Sequence, residues 1–372
     1  MSTDLEPLLR KPAMGEATLK YGSLLVFLIG TVGDQVLIKR ATYSAYFPAA
    51  LTLLTAIVGI VVYPVIVLGA LASGHVRRHH ILVPLWKPAL IAFGFTLHHV
   101  LLNVGAASSS VPGIIAMVLA KLVIPVSMLL NMPSFTLALQ YQRRHWLSVL
   151  LLLFGIVLTV SGPLRSALLT KGLRNKLGNM LLIALSTVPL AAAFTFIEKH
   201  LKEHHRDLFT VALWMWICIF QFFMSILLLP LNAVLSRLPM SQMWSDLQQG
   251  ITCYAGLHTP HSPKAVDCNV AGTLWWTSLC FSLAYNLAMP VSTRYGGAAL
   301  MWFVRGMAVP LAGLLFTSTV VMGSHAIPMT WPQVVGLFVV TAGVFMFNSI
   351  EPRRRTSNVP SELSIGLGER RA

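Results

Sequence analysis

Acidic residues are scarce in this chain. There are 12 among 372 residues, against 27 lysines and arginines. One of them, Asp34, falls inside a long apolar run. So few carboxylates exclude enzymes built on paired acids and sites that gather several carboxylates around a metal. Charged residues of both signs make up 10% of the chain, where a soluble domain averages about 25%. Cysteines number four, with no CxxC spacing to suggest a zinc module. There is no Walker A sequence, no HExxH and no GxSxG. No enzymatic activity, cofactor or metal is predicted. Alternating ten-residue segments of the barrel type are missing as well.

Apolar sequence fills the space that charge leaves. Hydrophobic residues are 56% of the chain and mean hydropathy is +0.73. The apolar runs are near 20 residues long, the length needed to cross a hydrocarbon core about 30 Å thick. The reading is an all-α membrane protein with ten spans, at 21–38, 48–71, 88–107, 113–135, 146–163, 178–198, 208–231, 272–292, 296–322 and 332–349. Residues 1–20 and 350–372 are tails. With the N-terminus in the cytosol, 17 cations fall on the cytosolic side and 8 on the other, which favours both termini inside. The loop between the fifth and sixth spans, with four cations, dissents. The net charge of +15 therefore orients the chain, and no basic stripe or motif points to nucleic acid.

The N-terminal segment carries Asp4, Glu6 and Glu16, unlike a transit peptide. Asp4, Leu8 and Leu9 have the form of an acidic dileucine signal that sorting adaptors read. The plainer alternative is a solvated acidic tail.

Two stretches half a chain apart carry one pattern. Asn103, Met117, Lys121 and Pro125 recur as Asn286, Met301, Arg305 and Pro310, at offsets of 183, 184, 184 and 185. A cation in hydrocarbon costs roughly 3 kcal/mol or more at a helix centre and is kept for function. A duplicated one suggests two related halves, 21–163 and 178–349, with a substrate site where they meet. Lys121 and Arg305 are predicted to face an aqueous cavity and a carboxylate-bearing solute. The alternative is a buried ion pair, for which Asp34 is the one acid at hand. Pro125 and Pro310 are predicted to kink their helices. Asp34, His98 and His99 are candidates for proton coupling. Asn103, Asn286 and Tyr285 are candidates for solute contact or for interhelical glue.

The long connection is 232–271, between the seventh and eighth spans. Within it Met240, Met243, Trp244 and Leu247 have helical spacing between Pro239 and Gly250. An amphipathic helix is predicted there, lying in the membrane interface or packed on the protein. Cys253 and Cys268 follow, 15 residues apart. A disulfide, free thiols, or a metal shared with His258 and His261 are the options. The tail after Glu351 has no periodic apolar face and is predicted to be disordered.

Several segments give a family resemblance: LIALSTVPLAAAFTFIEKHL at 182–201, FQFFMSILLLPLNAVLSRLPMSQMWSDLQQGITCYAG at 220–256, and LVIPVSMLL at 122–130. In these the chain resembles the chloroquine-resistance-transporter-like family of the drug/metabolite transporter superfamily. The resemblance implies ten helices in two inverted five-helix repeats, with a juxtamembrane helix and a cysteine-closed loop on the luminal side. It implies a vacuolar, lysosomal or digestive-vacuole membrane. The implied activity is proton-coupled export of amino acids, small peptides or other nutrients, and a plant branch handles glutathione-type thiols in plastids. The chain departs from the pattern at Lys121, where glutamine is typical, and at Arg305, where a small uncharged residue is. It also has two loop cysteines rather than four. Two added cations repel cationic solutes, so anionic or zwitterionic solutes are predicted. The expected partners are solute, protons and lipid, with the protein as a monomer. The competing readings are an organic-phosphate or nucleotide-sugar antiporter and a non-transporting receptor or scaffold.

Overall fold

The computed structural model describes residues 14–45, 47–74, 81, 84–106, 111–130, 139–140, 142–168, 173–203, 210–256, 267–326, 328–349 and 353–354. Asp4, Leu8, Leu9, His258 and His261 lie outside the described residues, as does most of the C-terminal tail.

The described chain is almost wholly helical. In order it forms α1 (Met14–Ser44), α2 (Pro48–Ala72), α3 (Trp86–Ala106) and α4 (Gly113–Leu119). A 3-10 turn (Ala120–Leu122) leads into α5 (Val123–Leu130). Then come α6 (Arg143–Leu168), α7 (Leu173–Glu203), α8 (Thr210–Leu227), α9 (Leu229–Ser236), α10 (Met240–Tyr254), α11 (Cys268–Thr317), α12 (Thr319–Met322) and α13 (Trp331–Asn348). One two-residue antiparallel pair joins β1 (Leu139–Gln140) to β2 (Arg353–Arg354).

Among the described residues six helices are long and apolar enough to cross a membrane, and eight when two bent pairs are each taken as one span. The protein is a multi-pass membrane protein. Its helices are apolar on both sides. Val36, Ile91, Val118, Ile183, Ile217, Val309 and Val340 are buried in one continuous core. Val61, Val65, Leu150, Phe154, Val157 and Phe338 are exposed. A helix that is hydrophobic all round belongs in lipid.

Local chemistry sets many of the ends and breaks. Pro48 starts α2, and Gly74, at φ +73°, follows its last turn. Thr330 and Gln333 form a reciprocal capping box on α13. Asp267 accepts a hydrogen bond from the Val270 amide and caps α11. The 51° bend between α8 and α9 falls at Leu228. Pro230 lies just beyond it and has no N–H to continue the ladder.

Glycines bring helices close. A Cβ on Gly155 would lie 2.6 Å from the Val340 backbone nitrogen, and one on Gly336 would lie 2.7 Å from the Thr159 nitrogen. These contacts seat α6 on α13. Gly30 and Gly33 seat α1 on Phe281 and Tyr285 of α11 in the same manner.

The sequence reading separates two spans at 292–296, but helical residues run without a break from Cys268 to Thr317. They do not form one rod. Ser278 meets Asp34, and Val321, just past the helix, meets Arg40. On a straight helix 43 residues would span roughly 65 Å, whereas six residues of α1 span roughly 9 Å. Val304 also packs in the same small cluster as Ala288 and Met289. The chain thus doubles back between Met289 and Val304, giving a first and a second limb.

The first span also differs from its reading. It extends to Ser44, so Lys39 and Arg40 belong to α1 rather than to the loop after residue 38.

Near the end of α1 lies α10. Met243, Leu247, Gly250, Cys253 and Tyr254 are buried against α2 and α11, while Met240 and Trp244 are exposed. The Tyr254 hydroxyl donates to the Ala45 carbonyl at 2.6 Å. Cys253 and Cys268 are joined in a disulfide that ties the end of α10 to the start of α11. This end of the bundle is called the disulfide face below.

Candidate functional site

Lys121 sits where α4 gives way to α5. Pro125 has no N–H to offer the Lys121 carbonyl four residues earlier, and its ring crowds that carbonyl. The 3-10 turn at Ala120–Leu122 is the result. The turn directs the Lys121 side chain across to the second limb of α11, where Nζ donates to the Arg305 carbonyl at 3.1 Å. The two positions related by the sequence repeat therefore touch. Lys121 is 8% exposed. Arg305 is half-buried, and its guanidinium lies 5.5 Å from the centre of the Phe194 ring on α7, a cation–π arrangement. Pro310, by contrast, lies within helix that continues to Thr317.

Asp34 approaches from α1. Its carboxylate accepts a hydrogen bond from the Ser278 hydroxyl on the first limb at 2.8 Å. Asp34, Tyr285 and Arg305 lie close enough to interact electrostatically. Next to Asp34, the Gln35 Oε1 is buried with no hydrogen-bond partner among the described residues. Tyr285 packs edge-on to Phe27 and interacts with the side chains of Ser282 and Asn286.

Other predicted residues have structural partners. His98 is buried on α3, with Nδ1 2.9 Å from the Ser186 carbonyl of α7 and its ring against His99. Asn103 donates to the Thr52 hydroxyl at 2.9 Å, a link from α3 to α2. The polar centre thus draws together Lys121, Arg305, Asp34 and Tyr285, with Asn286 beside Tyr285. Asn103 does its described bonding elsewhere. Sequence reasoning missed Ser278, Phe194 and Gln35, because a lone serine, phenylalanine or glutamine in an apolar run carries no spacing signal. Among the described residues no cluster of histidine, cysteine and acids has metal-site geometry.

A small cavity opens away from this centre, at the disulfide face. Tyr43, Gly113, Phe316, His325 and Met329 line it.

Two cations and a carboxylate held at the apolar centre of a helical membrane bundle mark a candidate functional site. The chain is a member of the CRT-like, chloroquine-resistance-transporter-like family, whose model matches residues 21–347. It is 25% identical over 343 residues to a chloroquine resistance transporter of Toxoplasma gondii, covering 87% of this chain and 37% of that protein. It is 26% identical over 339 residues to protein CLT1, chloroplastic, of Arabidopsis thaliana, covering 89% of this chain and 73% of that protein. The chain thus spans about a third of the first relative's length. A solved crystal structure superposes with a TM-score of 0.45 at 15% identity, covering 90% of this chain and 96% of that one.

Proposed function

We propose that this transporter is a secondary carrier of small anionic or zwitterionic solutes, of the class of acidic amino acids, short peptides and glutathione. In this reading ten spans form two inverted five-helix repeats, 21–163 and 178–349. The halves rock about a centre made by the Lys121 and Arg305 helices, and export runs from an acidic vacuole- or lysosome-like lumen to the cytosol, where both termini lie. A plastid membrane is the other location, by analogy with the chloroplastic relative.

The observation that carries the reading is the contact between repeat-related positions. Lys121 reaches the Arg305 backbone beside Asp34, deep in apolar surroundings. Two cations against one carboxylate leave net positive charge in a low-dielectric site, and a solute carboxylate neutralises it. For a zwitterion, Asp34 and the unpartnered Gln35 Oε1 supply acceptors for an ammonium group. Asp34 is also the proposed proton carrier, and Asn286 and Tyr285 are proposed solute contacts. Asn103, His98 and His99 hold secondary places in the proposal, since the first two already have partners.

The test is flux in proteoliposomes with an acidic interior, using labelled glutamate and glutathione. Both are expected to exchange faster than lysine, and Lys121→Gln/Arg305→Ala is expected to lose the difference. Lysine or arginine outcompeting glutamate and glutathione would reject the assignment. Strict counter-exchange of phosphate without proton dependence would favour the antiporter reading, which the same basic centre supports. Unchanged flux of every solute in the double variant would favour a receptor or scaffold.

A further inference from the structure

Two more cations lie one to two turns beyond Asp34 on α1, and nothing in the proposed centre uses them. Lys39 is 8% exposed. Its Nζ donates to the Ala106 carbonyl at 2.9 Å and lies 4.9 Å from the centre of the Tyr43 ring. Arg40 donates from Nη1 to the Val321 carbonyl. Neither has a carboxylate partner among the described residues. Both acceptors are neutral backbone groups near helix ends. Ala106 is the last residue of α3, and Val321 belongs to the four-residue α12. Such terminal carbonyls lack an intrahelical partner of their own.

The surroundings form a sharp turn. α12 leaves the end of α11 at a 75° bend. Beyond it Gly323 takes φ 61° and ψ −135°, a conformation open to glycine. The Arg40 guanidinium lies 3.8 Å from the point where a Gly323 Cβ would be. Tyr43 stacks on His325 at 5.0 Å with the planes 19° apart, beside the small cavity. Among the described residues, the connection between the second limb and α13 is held by the Arg40–Val321 hydrogen bond, by the Tyr43–His325 ring stack and by Met322, which is buried in the main core.

We infer that Lys39 and Arg40 form an outer anion-binding subsite at the disulfide face, which takes a solute carboxylate or phosphate group in place of the Ala106 and Val321 carbonyls. A charge-assisted hydrogen bond to an anion is roughly twice as strong as one to a neutral carbonyl. The anion therefore displaces the carbonyls and frees the end of α3 and the α12 segment from α1. Recruitment of the solute and opening of this face become one event. The inference rests on the proposed transport function only in assigning the anion to the solute.

The test places a bimane label at Ser324→Cys, an exposed position in this segment, in a Cys280→Ser background. The labelled full chain is studied in phosphatidylcholine nanodiscs and titrated with sodium glutamate or inorganic phosphate at constant ionic strength. A saturable fluorescence change is expected. It is expected to persist in Lys121→Gln/Arg305→Ala and to need about tenfold more anion in Arg40→Gln, with Arg40→Lys recovering part of the loss. No response in the unmutated background overturns the inference, as does an equal response in Arg40→Gln. Loss of the response in the Lys121/Arg305 variant alone assigns it to the centre and also overturns the inference. If phosphatidylserine in the nanodisc saturates the label and glutamate adds nothing, the group bound is a lipid headgroup and the solute assignment falls. Failure of every flux assay leaves these fluorescence outcomes standing, so the two readings are separable.

Discussion

Lys121 presents a choice between holding the fold and serving the solute, and the two roles leave different marks. Its ammonium is buried, and its described partner is one neutral carbonyl. Burying a charge costs several kcal/mol before compensation, and a single carbonyl returns a fraction of that. Lys121→Met keeps the length of the side chain and removes the charge. The expected outcome is a thermal unfolding midpoint equal to or above that of the parent, together with at least a roughly tenfold loss of glutamate flux. A lowered midpoint in Lys121→Met would mark the lysine as structural. Asp34 differs, because it has both a serine donor and a guanidinium nearby. Its loss leaves Arg305 less compensated.

At the scale of helices, close approach governs stability. α6 and α13 meet through Gly155, Gly336 and Gly343. Gly336→Ala would put a methyl group 2.7 Å from the Thr159 nitrogen, a backbone atom that cannot step aside. Destabilisation of about 1–3 kcal/mol is expected, seen as a lower unfolding midpoint in detergent. Gly69→Ala is the control. Nothing lies within 4 Å of its added methyl, so its midpoint should hold or rise. The Cys253–Cys268 bridge closes a 15-residue separation. Its removal by Cys253→Ser/Cys268→Ser should cost about 3 kcal/mol, and adding reductant to the parent should reproduce the shift. α10 should stay seated through Tyr254 and Gly250 in either case.

The helices were legible because apolar runs of membrane length have few other solutions. The Cys253–Cys268 bridge is one of three options that the spacing left open, and the repeat singled out Lys121 and Arg305 without indicating that they touch. Lys39 and Arg40 were not legible. Counting loop cations treats any lysine or arginine at a span boundary as solvated, yet carbonyls at the ends of α3 and α12 draw these two into the protein. The continuous helical stretch of α11 was hidden too, since Arg294 falls in the gap between the spans read at 272–292 and 296–322. Pro125 and Pro310 look alike in sequence, but the first follows a 3-10 turn at the start of α5 and the second lies in unbroken helix.

For the whole molecule, the order of the helix ends is the testable quantity. α1 begins and α13 ends on the side away from the disulfide face. An epitope after Met1 and another after Ala372 should both be accessible to antibody when the plasma membrane alone is permeabilised. A glycosylation site introduced at 257–266 should be modified. Opposite accessibility of the two epitopes would refute the shared side. This experiment fixes topology without reference to solute.

The position of α1 has a mechanical consequence. Phe27 shares a cluster with Ala288 and Met289 on one limb of the α11 hairpin and with Val304 on the other. The helix is thus seated in a clasp, against both limbs of the hairpin. It carries Asp34 midway along and Lys39 and Arg40 near its end, so a pivot of this helix would shift charge at two levels together.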